Sequence, residues 1–89
     1  MNRWDKMNKL SRNEIKDIVI KTLKDNVEKF QDVDLDDETK LNTQKGIDSM
    51  TFIYIMCKLE EEFNIKISEK NYDKLETLGD LIDEIKGEL

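Results

Sequence analysis

With 89 residues, 40% of them charged and 37% hydrophobic, the chain has the size of one small domain, with a modest core and no room for a deep cleft lined by several catalytic groups. The absence of proline and the presence of only three glycines favour helices joined by a few loops, so the expected fold class is all-α. A net charge of −6 excludes the usual nucleic-acid binder, which sets many lysines and arginines against phosphate. Basic partner proteins fit better. The charge is uneven, with eight basic against five acidic residues in 1–31 and seven against sixteen in 32–89.

No stretch approaches the roughly 20 apolar residues of a membrane span, so no membrane partner is expected. The opening MNRWDKMNKL interleaves charges with Trp4, Met7 and Leu10 and lacks the apolar centre of a secretory signal. A cytoplasmic protein is expected. Residues 1–10 read as an N-terminal extension, either a disordered leader or an added turn packing Trp4, and 11–89 as the domain proper. The single cysteine, Cys57, cannot form an internal disulfide, and its place in an apolar run suggests a buried, inert thiol.

The first helix is predicted over about 12–30. Ser11-Arg12-Asn13-Glu14 has the spacing of a capping box, and Leu10 and Ile15 occupy the two positions of a hydrophobic staple. Ile15, Ile18, Val19, Leu23, Val27 and Phe30 then recur at helical spacing. Residues 31–48 show no period and read as a long loop, with Val33, Leu35, Leu41 and Ile47 as the residues that pin it to the core. Within it Asp32, Asp34 and Asp36 fall at the first, third and fifth places of a calcium loop. Asp37 stands where glycine is required and Thr43 where a closing glutamate is required, so a solvated acidic loop is expected and no metal site.

The second helix is predicted from Asp48 or Ser49 to about Phe63, with two apolar stripes. Phe52, Ile55, Met56, Leu59 and Phe63 form one, and Met50, Ile53, Tyr54 and Cys57 the other, on roughly the opposite side. The first is assigned to the core. The second, with Glu60 and Glu61 at its margin, is either a partly exposed protein-docking surface or a face covered by the other helices. Ser68 is expected to cap a short helix over about 69–74. Thr77 then caps the last helix, with Asp80 completing a second capping box and Leu78, Leu81, Ile82, Ile85 and Leu89 as its apolar face. The sum is a four-helix bundle, three main helices and a short one, with a long loop between the first two.

Ser49 stands beside Asp48 and behind Gly46 at the start of the second helix. The chain contains no histidine and no recognisable metal-ligand cluster, so a serine nucleophile has no base and no catalytic residue is expected. On residue type alone Ser49 is a helix cap. One other chemistry suits the position: an exposed hydroxyl at a helix N-terminus can carry a phosphate ester made by another enzyme.

The segment Gly46-Ile47-Asp48-Ser49-Met50, followed by Lys58-Leu59-Glu60-Glu61-Glu62-Phe63 and Ile67, resembles the acyl carrier proteins. Their signature is G-x-D-S-L/M, an apolar helix and L-E-E-x-F with an isoleucine close behind. The resemblance covers roughly residues 11–86. It implies a non-catalytic four-helix carrier in which a phosphopantetheinyl transferase attaches 4'-phosphopantetheine from coenzyme A to Ser49, beside the flanking Asp48, and an acyl group is held as a thioester. It also implies that the second helix, through Met50, Ile53, Tyr54, Cys57, Glu60 and Glu61, is read by acyltransferases, ketosynthases or other synthase enzymes, with the carrier acting as a monomer. Carriers of ordinary fatty acid synthesis tend to have acids where Thr51 and Tyr54 stand, and often leucine in place of Lys45. These departures point to specialised polyketide-type rather than housekeeping fatty acid biosynthesis. Two other readings stay open: an aminoacyl or peptidyl carrier, and an unmodified helical interaction module in which Ser49 only caps.

Overall fold

The computed structural model describes residues 10–41 and 47–89. The readings of Trp4 with the N-terminal extension, and of Lys45, lie outside the described residues. The regular elements among the described residues are all helices, with no strand beyond one isolated antiparallel bridge between Lys40 and Thr77. Helix α1 spans Arg12–Asn26, α2 Ser49–Phe63 and α3 Leu78–Glu88, with one-turn 3-10 segments at Glu28–Phe30 and, longer, at Glu69–Lys74. The last of these is the expected short helix.

The capping box of α1 forms: the Glu14 amide donates to Ser11 Oγ at 3.2 Å and the Ser11 amide to Glu14 Oε1 at 3.1 Å. Leu10 and Ile15 are both buried in the core, as a hydrophobic staple requires. The helix stops at Asn26 instead of running to Phe30. Asn26 turns its side-chain amide onto the Thr22 carbonyl at 2.8 Å, and the β-branched Val27 adopts extended backbone before the 3-10 turn. Such side-chain competition for helix carbonyls leaves no glycine or proline signature. Val27 and Phe30 remain buried across the break.

Helix α1 packs on both α2 and α3. Ile15, Val19 and Leu23 meet Ile55, Met56, Leu59 and Phe63 of α2 and Leu78, Leu81, Ile82 and Ile85 of α3 in one apolar core. Its connectors contribute as well: Leu41, Ile47, Ile67 and Leu75 are buried. Of the four residues expected to pin the long loop, Leu41 and Ile47 are buried and Leu35 packs partly against the core. Val33 does not, being 46% exposed, because the turn closed by its amide on the Phe30 carbonyl at 3.3 Å carries it outward.

The loop is held mostly by its backbone. Leu41 donates to the Glu76 carbonyl at 2.8 Å, while the Leu78 and Gly79 amides donate to the carbonyls of Thr39 and Asp37 at 2.9 Å each. Those two amides belong to the first turn of α3 and have no intrahelical partner, so the loop completes the helix end. Thr77 supplies the rest, accepting the Asp80 amide at 3.2 Å while Asp80 accepts the Thr77 amide at 3.1 Å. Asp37 also pairs with Arg12 and Lys16 of α1, each at 2.9 Å, and Arg12 pairs with Asp83 of α3 at 2.9 Å. The Lys16 ammonium, with Arg12 beside it, holds the Asp37 carboxyl below the usual carboxylate range. Partly exposed pairs of this kind contribute little stability singly; their geometry fixes where the loop crosses the two helices.

Gly79 permits that crossing. A Cβ there would stand 3.0 Å from the Asp37 carbonyl oxygen and 3.2 Å from Asp37 Cβ. Alanine is the better helix former by about 1 kcal/mol, yet overpacking of this kind costs about 1–3 kcal/mol. Gly79→Ala is therefore expected to cost a net of about 1 kcal/mol of stability, read as a lower urea midpoint. An unchanged or higher midpoint would show that the loop yields freely.

The expected Ser68 cap is absent. Ser68 is extended with no side-chain capping bond, because the Asn71 amide is taken by the Ser68 carbonyl at 2.9 Å instead.

Candidate functional site

Helix α2 begins with the backbone of Asp48 extended and its carboxylate accepting the Thr51 amide at 2.8 Å. Asp48, not Ser49, is therefore the N-cap, which corrects the capping reading of the serine. Ser49 is the first helical residue and is exposed, and its hydroxyl has no hydrogen-bond partner among the described residues. One aspartate thus supplies the cap and leaves the neighbouring hydroxyl available. The buried Ile47 anchors the chain just before this turn, so the pair is fixed in position although both members face solvent.

The Thr51 amide and hydroxyl, helped by the Met50 amide, hold the Asp48 carboxyl below the usual carboxylate range. The folded state thus favours the ionised form. Its stabilisation is complete above the unfolded-state value and is lost as pH falls below about 4 and through the lower folded value. Asp48→Asn keeps an acceptor for the cap but no charge. Melting temperature measured against pH is expected to fall less steeply for this variant below about pH 4 than for the unchanged chain. Identical acid limbs would remove the charge from the account.

Next to Ser49 lies a groove of about 350 Å³ between α2 and the Glu69–Lys74 segment, lined by Ser49, Phe52, Ile53, Leu41, Tyr72 and Leu75, with Asp73 and Glu76. Phe52, expected wholly in the core, is half-buried: it packs partly against the core and meets the Tyr72 ring edge-on at 5.5 Å between centroids. Tyr72 was not singled out by sequence. Its signal was being the lone aromatic residue in the polar run Glu69-Lys70-Asn71-Tyr72-Asp73-Lys74. Burial, with the negative charge of Glu60 and Glu69 nearby, pushes its phenol pKa up.

The second stripe of α2 is open to solvent: Met50 is 84% exposed, Ile53 49% and Tyr54 52%. Cys57 is exposed too, which corrects the expectation of a buried thiol. Cys57 lies one turn beyond Ile53 on the outer face, and the apolar run that suggested burial is this same exposed stripe. The Lys58 ammonium lies 5.3 Å from the centre of the Tyr54 ring, so the face is apolar with a cation on it. Glu61 is exposed, whereas the Glu60 carboxylate accepts the Ile67 amide at 2.6 Å and holds the turn after α2. That turn begins at Asn64, in the left-handed region at φ 55°. The six residues of the expected docking set thus share one helix, five of them open and Glu60 tied down.

A small helical bundle that displays an exposed serine at the start of a helix capped by its neighbour has a build that suits a carrier. Comparison with known proteins agrees. The family model for the phosphopantetheine attachment site matches residues 13–85. The acyl carrier protein of Wolinella succinogenes is 32% identical over 69 residues, covering 78% of this chain and 84% of that protein. That of Desulforapulum autotrophicum is 34% identical over 62 residues, 66% of this chain and 80% of that protein. The mitochondrial acyl carrier protein of Saccharomyces cerevisiae is 30% identical over 67 residues, 75% of this chain but 54% of the yeast protein. No solved structure matches at a significant level. The chain belongs to the acyl carrier protein family, within the proteins that bear a phosphopantetheine attachment site.

Its prosthetic group is accordingly a covalently attached 4'-phosphopantetheine. The residues present fit such a group. An exposed hydroxyl stands at the positive end of a fifteen-residue helix, where a phosphate is favoured. The groove beside it lies within the ~300–1,000 Å³ of small-molecule sites.

Proposed function

We propose that Ser49 carries the arm and that this chain is an acyl carrier of a specialised, polyketide-type biosynthetic system, with residues 11–89 as the carrier domain. The observation that supports attachment at Ser49 is the division of labour at the start of α2, where Asp48 caps and the adjacent hydroxyl is open. A phosphopantetheinyl transferase brings what the chain lacks. The Ser49 hydroxyl oxygen bonds to the phosphorus of coenzyme A that bears the pantetheine, adenosine 3',5'-bisphosphate leaves, and the hydroxyl proton passes to a base of the transferase. The group, once bound, supplies a thiol that holds acyl cargo as a thioester.

The exposed Met50, Ile53, Tyr54 and Cys57 are read as the face that the transferase and synthase enzymes dock on, with Glu61 offering a charge to their basic patches. Charge at such a rim speeds and orients encounter more than it deepens affinity, which suits a carrier that leaves each partner quickly. Thr51 and the Lys58-covered Tyr54 make this face less acidic than a housekeeping carrier's, and this supports the specialised assignment over ordinary fatty acid synthesis. A reducing, cytoplasmic setting suits the open thiol of Cys57.

Loading assays test the reading. The arm-bearing protein is expected to be charged from malonyl-coenzyme A by an acyltransferase of a polyketide system more rapidly than by one from fatty acid synthesis. An adenylating enzyme supplied with ATP and amino acids is expected not to charge it. Preference for the fatty acid enzyme would return the chain to the housekeeping pathway. Charging by the adenylating enzyme alone would make it a peptidyl carrier, a type that commonly shows a G-G-x-S segment where this chain has Gly46-Ile47-Asp48-Ser49.

A further inference from the structure

We propose that Lys58 selects the partner on α2: the enzymes that dock there present an apolar patch with a carboxylate opposite Lys58, and a patch with a basic side chain at that point is rejected. The proposal rests on α2 as the docking face. From Ser49 to Cys57 the helix carries no charged residue, and Lys58 is its single basic one. Lys58 is exposed and stands one turn after Tyr54 and two after Met50, on the side of the open apolar stripe. The first charge that a partner meets along this stripe is therefore positive, although the chain as a whole carries −6.

The place of that charge follows from helix geometry. Tyr54 lies one turn before Lys58 and Glu62 one turn beyond it. Helical side chains lean toward the N-terminus, and lysine followed by glutamate is the weaker order of an i, i+4 pair. The ammonium accordingly lies 5.3 Å from the centre of the Tyr54 ring, and Lys58 forms no ion pair among the described residues. An aromatic face attracts a cation without neutralising it.

A partner that covers Ile53 and Tyr54 strips water from this ammonium. Without an acceptor the desolvation is uncompensated, and a lysine or arginine opposite adds repulsion; a carboxylate removes both penalties. The net negative charge draws basic proteins to the chain from a distance, and Lys58 discriminates among them at contact. Glu61, three residues on and exposed, suits a basic group, so the two charges in this order also fix which way along α2 the partner lies.

The experiment measures kcat/KM for charging the arm-bearing chain, in salt that screens the net charge, with whichever enzyme of the loading assays charges it; the expectation does not depend on the cargo. Lys58→Glu is expected to lower kcat/KM about tenfold, Lys58→Ala to fall between, and Lys58→Arg to stay within about twofold of the unchanged chain. Ile53→Ser reports on docking itself. A loss in Ile53→Ser, with Lys58→Glu as fast as the unchanged chain or faster, would overturn the role of Lys58 and leave α2 as the docking face. No loss in either variant would overturn both. A second arm needs no enzyme: two amphipathic helical peptides, alike except for glutamate or lysine at the edge of the apolar stripe, are titrated with the chain in the same salt and followed by fluorescence anisotropy. The glutamate peptide is expected to bind about fivefold more tightly, and Lys58→Glu to reverse the order. Equal affinities, or binding of neither peptide, would overturn the selection. Failure of every enzyme to charge the chain would count against the carrier reading, while the peptides would still judge Lys58.

Discussion

Replacing Ser49 by alanine is expected to abolish attachment of the arm completely and to leave the fold unchanged. The first part follows from chemistry: phosphopantetheine is joined through an oxygen, and alanine has none. The second follows from position. Ser49 is exposed, makes no side-chain bond among the described residues, and starts a helix whose cap is provided by Asp48. Surface changes of this kind fall within about 0.5 kcal/mol in stability. Circular dichroism and thermal melting should superimpose on the unchanged chain, while incubation with coenzyme A and a transferase leaves the mass as it was. Modification of the variant at another residue would move the attachment point. A collapse of the melting curve would mean that Ser49 is structural after all.

Phe63→Ala should have the opposite profile, with a large loss of stability and no direct effect on the hydroxyl. Phe63 is the last residue of α2 and 2% exposed, in the core that also takes in α1 and α3. Large-to-small substitution of a buried phenylalanine costs about 3–5 kcal/mol, because a cavity is left where the neighbours relax only partly. A chain of this length has about 4–13 kcal/mol in all, so the variant is expected to be partly or wholly unfolded near physiological temperature. Urea unfolding followed by circular dichroism measures this directly. A change below about 1 kcal/mol would mean that the end of α2 is much looser than its burial indicates.

The starts of the helices were legible because capping is local chemistry. Ser11 with Glu14 and Thr77 with Asp80 form the reciprocal pairs that their spacing announced. The helix ends were less legible: nothing in Asn26-Val27 carries a glycine or proline stop, and the break depends on a side-chain amide that folds back on its own helix. At Asp48-Ser49 the sequence offered two residues able to cap, and only the structure divides the roles.

Tertiary pairings were illegible for a different reason. Phe52 had the spacing of a core residue, and what draws it halfway out is Tyr72, distant in sequence and set in a polar run. Cys57 was misjudged because an apolar run was taken for burial, although its helical phase placed it with Met50, Ile53 and Tyr54 on the open side. The long loop was expected to be pinned by apolar side chains. Leu41 and Ile47 do this, but the backbone bonds from Leu78 and Gly79 to Thr39 and Asp37 have no sequence pattern beyond a glycine at the point of closest approach.

The most direct test of the account is the intact mass of the purified chain after incubation with coenzyme A, magnesium and a broad-specificity phosphopantetheinyl transferase, with fragmentation to locate any change. One phosphopantetheinyl increment, confined to Ser49, is the result the account predicts. An unmodified mass under conditions that convert a control carrier, or an increment on any other residue, would contradict it.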